Sequence, residues 1–276
     1  MKILQTAVRL CALSACLCLG NAMAVVIRED APDEAYRIED DTIPQMADLP
    51  GEGHGVLIAP RWVVTVTHAT RNGEIESVLI NGIERRVERL VSFPGYRTLP
   101  PELAVGDAFP VVRFFRELDD LTLIELSAAV TDIAPMPLFV GTPASGTVAR
   151  IVGRGASGDG RSGEARDAPH RGQLRQAENR IVSADGRWIT YRFDCDNSAL
   201  PLEGVGGGGD SGGPLLIDVG GQPQLAGLID WKSWTGDLSG FRKGVCNQTF
   251  YNVRLQHYAE WMSEVMGEKV RILKHK

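Results

Sequence analysis

Cysteine is nearly absent from the body of this chain. Of five, Cys11, Cys16 and Cys18 fall within the first eighteen residues, and only Cys195 and Cys246 remain for the other 258. At most one bridge can therefore brace the fold. A long hydrophobic run is also missing. The apolar stretch Leu10 to Gly20 is shorter than the roughly 20 residues a bilayer crossing needs, and no later segment is long and uncharged enough, so no membrane span is expected. There is no excess of positive charge, with 29 Lys and Arg against 35 Asp and Glu, which argues against nucleic acid as the partner. Internal repeats are lacking too, and no long helical period occurs before the C-terminal end.

What is present begins with a leader. Lys2 and Arg9 give a basic start, Leu10 to Gly20 an apolar centre, and Ala22-Met23-Ala24 a small-x-small cleavage signal, so residues 1–24 read as a secretory signal peptide. Its removal takes away two cations and shifts the formal net charge from −6 to about −8. The expected location is secreted or periplasmic. Leu13-Ser14-Ala15-Cys16 resembles a bacterial lipoprotein box, which makes a form lipid-anchored through Cys16 a minor alternative. In an oxidising compartment a Cys195–Cys246 disulfide is the natural reading, with two independent buried thiols as the alternative.

With 276 residues, 43% hydrophobic and 23% charged, the chain can build a sizeable core. Val25 to Asp48 is rich in acids and proline and is expected to wrap the surface. Beyond it, short β-branched runs alternate with turn signals, as in Gly55 to Ile58, Trp62 to Val66, Ser77 to Ile80 before Asn81-Gly82, Leu121 to Leu126, Thr147 to Val152, Trp188 to Phe193, Leu215 to Ile217 and Leu225 to Ile229. Thr131 to Gly146 carries three prolines and reads as a crossing between two β units, and Gly153 to Gly172 as a loop. Leu255, Tyr258, Trp261, Met262 and Val265 fall at helical spacing, so one amphipathic helix should close the chain, followed by a basic tail. The architecture that fits is all-β, two barrels with a helix packed behind them. The corresponding divisions are residues 25–135, 136–268 and a tail at 269–276.

The strongest chemical signal is Gly206-Gly207-Gly208-Gly209-Asp210-Ser211-Gly212-Gly213-Pro214. Glycines admit backbone conformations closed to other residues, so the N–H groups of Gly209 and Ser211 can converge on one point and present a serine beside an anion-binding nest. A flexible linker would have no internal Asp and Pro, nor lead into a strand such as Leu215-Leu216-Ile217. This run is the nucleophile motif of the chymotrypsin-like (trypsin-like) serine peptidases, and the chain resembles that family, as a secreted bacterial member.

The resemblance implies two six-stranded antiparallel Greek-key β-barrels with a C-terminal α-helix, and a His-Asp-Ser triad. Gly55 to Ala69 looks like the family's strand, turn, strand and histidine segment, which makes His68 the base rather than His54, His170, His257 or His275. Asp119-Asp120-Leu121-Thr122-Leu123-Ile124-Glu125-Leu126 is similar to the segment carrying the orienting carboxylate. Asp120 is the choice, with Asp119 the runner-up and Asp107 too far from such a strand. Ser211 is then the nucleophile, and the Gly209 and Ser211 N–H groups form the oxyanion hole. Val152 to Gly155, Leu225 to Trp231, and Phe250 to Val253 with Trp261-Met262 match further family segments.

The pattern also departs from the family. Ala69 stands where a cysteine usually follows the histidine, and no Ile-Val-Gly-Gly start exists; cleavage after Ala24 would instead expose Val25-Val26 without further activation. Val205 falls at the pocket floor, and Asp230 and Lys232 flank Trp231 where the family usually has Ser and Gly. These four are the candidate substrate-binding residues. The implied activity is endopeptidase cleavage of a protein or peptide through an acyl-enzyme, with no cofactor and no metal, by a monomer. The rival reading is a catalytically silent relative that binds a protein through the same cleft.

Overall fold

The computed structural model describes residues 25–71, 73–165 and 172–269. The leader, His170, His275 and most of the basic tail therefore lie outside the described residues. In chain order the strands are β1 (Val26–Ile27), β2 (Met46–Asp48), β3 (His54–Ala59), β4 (Trp62–Thr65), β5 (Ser77–Ile80), β6 (Ile83–Ser92), β7 (Thr122–Leu126) and β8 (Val148–Gly153). They continue with β9 (Gly158–Asp159), β10 (Gly163–Glu164), β11 (Arg175–Asp185), β12 (Trp188–Arg192), β13 (Gly204–Val205), β14 (Pro214–Val219), β15 (Gln222–Lys232) and β16 (Thr249–Arg254).

Two closed six-stranded barrels result. The first runs β2-β3-β4-β7-β6-β5 and the second β11-β12-β16-β15-β14-β8. Counted within each barrel, both follow the same path, three strands in sequence and then three in reverse, with every pair antiparallel. Closure leaves neither barrel an edge strand to protect. Local chemistry sets the hairpins: Asn81 and Gly82, both at positive φ, turn β5 into β6 as a two-residue loop requires. The Thr131–Gly146 crossing pins the barrels together, Met136 N–H donating to Leu57 O and Phe139 N–H to Leu225 O.

Two expectations need correction. Val25 to Asp48 is not merely a surface wrap. Its Met46 and Ala47 are buried and β2 closes the first barrel, while Val26 is fully buried between β9 and β13. Acidic composition concealed short apolar pairs that suffice for a ladder. A helix before the C-terminal one also went unforeseen: α1 (Ala108–Arg116), capped by Asp107, whose carboxylate accepts from Phe109 N–H at 2.8 Å. At the chain's end a 3-10 turn (Leu255–Tyr258) leads into α2 (Ala259–Met266), which stops at Gly267 in the left-handed conformation.

Candidate active site

His68 stands just beyond β4, on a 3-10 turn (Thr67–Thr70), and Asp120 lies two residues before β7. Because β4 and β7 are paired, Thr65 against Thr122, the two segments emerge side by side. Thr122 Oγ1 donates to Thr67 Oγ1 at 2.9 Å, tying the bases of both segments. The Asp120 carboxylate, 3% exposed, accepts the His68 backbone N–H at 3.0 Å and lies 2.8 Å from Nδ1. Across the gap between barrels, His68 Nε2 is 2.8 Å from Ser211 Oγ.

Ser211 is delivered by the loop between β13 and β14. Asp210 is fully buried beneath it and accepts N–H groups from Gly155 at 2.6 Å and Gly207 at 2.8 Å. Burial raises its carboxyl above the usual range, opposed by His54 and by those backbone donors. Two glycines are required by close approach: a Cβ at Gly207 would lie 2.0 Å from Ala156 O, and one at Gly212, whose φ is +77°, 2.1 Å from His54 O. His54, set aside on sequence, is a buried prop of this loop. Its Nδ1 is 2.9 Å from Asp48, its Nε2 4.0 Å from Asp210, and its backbone N–H donates to Ser211 O at 2.8 Å. Val26 of β1 pairs with Val205, and Asp210 is held by the Gly155 and Gly207 amides.

A cleft of about 1010 Å³ opens at Ser211. Gly207, Gly208, Gly209 and Ser211 line it together with His68, Glu52 and Phe115 from α1, and with Asp230, Trp231 and Lys232 at the end of β15. Three of the four candidate substrate-binding residues are thus at the cleft. Val205 is not among its lining residues: it has no exposed surface and packs in the core of the second barrel. Counting back from the nucleophile misplaced it because β13 turns its side chain inward. Trp231 is stacked on Tyr251 at 3.9 Å and braced by Phe115 and Trp188.

Asp230 turns toward the relay rather than toward the open cleft, Oδ1 lying 3.6 Å from His68 Nδ1. Its other oxygen is buried without a hydrogen-bond partner. Burial, and then the like charge of Asp120, raise the Asp230 carboxyl well above the usual range, with His68 opposing. One imidazole and two carboxylates therefore come within 4.8 Å of one another. For His68, burial acts to lower the pKa but is outweighed by the Asp120 charge and hydrogen bond and then by Asp230 and Glu52, so it is pushed up to about 9. Lys232 donates to Glu164 of β10 at 2.6 Å, and burial lowers its pKa against the pull of Glu164. Nothing in the sequence pointed to Glu164, 68 positions away. Cys195 and Cys246 are bonded to one another, and Gly160 packs against both sulfurs.

The chain matches the Trypsin family over residues 34–261. Among curated proteins it is similar to the thrombin-like enzyme acutobin of Deinagkistrodon acutus, 28% identical over 194 residues, or 64% of this chain and 65% of that protein. The venom plasminogen activator of Agkistrodon piscivorus leucostoma is 26% identical over 54% of each chain. The snake venom serine protease Haly-2 of Gloydius brevicauda is 27% identical over 78% of this chain and 79% of its own length. The chain thus spans less than two thirds of the first two relatives. Among solved structures, neuropsin, a serine protease expressed in the limbic system of mouse brain, shares the fold with a TM-score of 0.62 at 20% identity, over 84% of this chain and 98% of that one.

Proposed function

The chain belongs to the trypsin family of serine proteases, and from that premise we propose that it is an exported endopeptidase whose nucleophile is Ser211, whose base is His68 and whose orienting acid is Asp120. The observation that carries this reading is the unbroken line from Asp120 Oδ2 through both His68 nitrogens to Ser211 Oγ, each step 2.8 Å. The Asp120 carboxylate fixes the tautomer with hydrogen on Nδ1, leaving Nε2 free to take the serine proton as Oγ bonds to the scissile carbonyl carbon. The oxyanion so formed falls to the N–H groups of Gly209 and Ser211. His68 then returns its proton to the leaving amine, the C–N bond breaks, and water repeats the sequence on the acyl-enzyme.

Substrates on this reading are proteins or peptides. The named venom relatives and the Cys195–Cys246 bond support export. A start at Val25 after leader removal is supported by the burial of Val26 between β9 and β13. A start at Ile38, after cleavage behind Arg37, would require a backbone that is tied down, Ile38 N–H donating to Leu174 O. A secreted form whose mass corresponds to a start at Ile38 would overturn the Val25 assignment.

The test is covalent labelling with a fluorophosphonate probe. Labelling of purified protein at Ser211, abolished in Ser211→Ala, supports the peptidase. A folded protein that does not react would be a silent binder instead. Comparing casein with a simple ester then separates endopeptidase from esterase action.

A further inference from the structure

The wall of the cleft formed by β10, the end of β15 and residues 241–243 carries a charge opposite to that of the molecule. The chain as a whole is acidic, at −6, yet among the described residues this wall presents Lys232, Arg242 and Lys243 against two acids, Glu164 and Asp230, and Asp230 is turned to His68. Glu52, the remaining acid among the residues that line the cleft, acts on His68. Arg242 donates from Nη2 to two neutral carbonyls, those of Arg161 and Ser162 at 3.0 and 2.6 Å, and forms no ion pair among the described residues. Lys243 is exposed and makes no ion pair among the described residues. Lys232 is the centre of the wall: its side chain is 12% exposed, its ammonium lies over the Phe250 ring, and it forms a salt bridge with Glu164, with the charge of Asp210 acting from farther away.

Placement follows from the attack geometry. Once a carbonyl carbon sits on Ser211 Oγ with its oxygen at the Gly209 and Ser211 amides, the side chain of the residue that owns this carbonyl must enter the space beside Gly207, Gly208 and Gly209. These glycines offer no side chain to fill it, and Lys232 with Glu164 bounds it. Resting on the peptidase reading, we propose that this cleft selects a substrate with an acidic side chain, Glu or Asp, on the acyl side of the scissile bond, and that Glu164 holds Lys232 in the free enzyme as a stand-in for that carboxylate. A carboxylate arriving there pairs with a cation already stripped of water, where ionic hydrogen bonds are strong. A lysine or arginine would place like charge against a buried ammonium. A neutral side chain leaves the Lys232–Glu164 pair undisturbed and gains nothing from it.

Internally quenched peptides differing only in that residue, Glu, Gln, Ala or Lys, test the proposal in wild type, in Glu164→Gln, and in the doubly neutral Lys232→Met/Glu164→Gln, which strands no buried charge. In wild type kcat/KM for Glu should exceed that for Gln by about tenfold, with Lys the poorest. Glu164→Gln should widen the Glu over Gln ratio through KM, because the internal competitor is gone. The double variant should bring it close to one. A wild type that prefers Gln, Ala or Lys, or a Glu over Gln ratio unchanged in the double variant, overturns the proposal. Fluorophosphonate labelling of Ser211 in each protein keeps the two readings apart: a protein that labels but ignores the acidic side chain sinks only this inference, and one that never labels sinks the peptidase.

Discussion

The relay and the wall beside it are built on different terms. In the relay each group is fixed by barrel strands and the turns that leave them: Asp120 by the turn that carries His68, and Ser211 by Asp210, the amides around it and His54 of β3. In the wall, Lys232 on β15 is matched by Glu164 on a two-residue strand, and Trp231 is held not only by Tyr251 and Trp188 of its own barrel but by Phe115 of α1, which lies between β6 and β7. The relay is a property of the fold. The wall depends as well on β10 and α1, which lie outside the barrel strands. Reaction chemistry can therefore persist while selectivity changes, and the two should respond to different substitutions.

The largest effect is expected from Ser211→Ala, which should lower kcat by several powers of ten, on the order of 10⁴ or more, while leaving the thermal unfolding midpoint nearly unchanged. Retention of most activity would show that the relay is not the engine. Next in size is loss of the Cys195–Cys246 bond. Cys195 and Cys246 close a loop of 51 residues, so replacing both with alanine should cost about 4 kcal/mol in denaturant unfolding. The folded fraction should keep its reactivity toward the fluorophosphonate probe, and loss of labelling in protein that remains folded would tie the relay to this bond after all.

A third test uses Asp230, the one wall residue that leans into the relay. With His68 pushed up to about 9, its neutral form, the one able to accept the serine proton, is only about a hundredth of the total at pH 7. kcat/KM should then climb about tenfold per pH unit between pH 7 and 9. Asp230→Asn removes one stabilising carboxylate from the imidazolium and should move this limb to lower pH. An unmoved limb would separate Asp230 from the relay. Stability runs the other way. A folded-state pKa above that of the unfolded chain favours folding fully below the unfolded value, and the contribution fades as pH rises through about 9. More than a third of the imidazole remains accessible, so salt will soften both effects. The smallest effect expected is Asp107→Ala, loss of the α1 cap, at about 1 kcal/mol of stability. If it also alters KM, the placement of Phe115 matters to binding.

Legibility in the sequence followed the same divide. The Gly-Asp-Ser run, the strand leading to His68, and the alternating β segments are local patterns, because glycine conformation, side-chain period and turn chemistry act over a few residues. α1 stayed hidden because Ala108–Arg116 is short and carries Pro110 in its first turn. The inward face of Val205 was equally illegible, since only its pairing with Val26 across 179 positions sets it.

By itself the sequence determined a two-barrel β protein with a serine set in a glycine nest, and through the resemblance it marked His68 and Asp120 as that serine's partners. Tertiary structure alone decided that Asp230 faces His68 rather than the open cleft, that His54 props the loop beneath Ser211, and that Lys232 is paired with Glu164. The physical reason is range. Backbone preferences are written residue by residue, whereas a buried charge is settled by whichever distant group the closed barrels bring within about 4 Å of it.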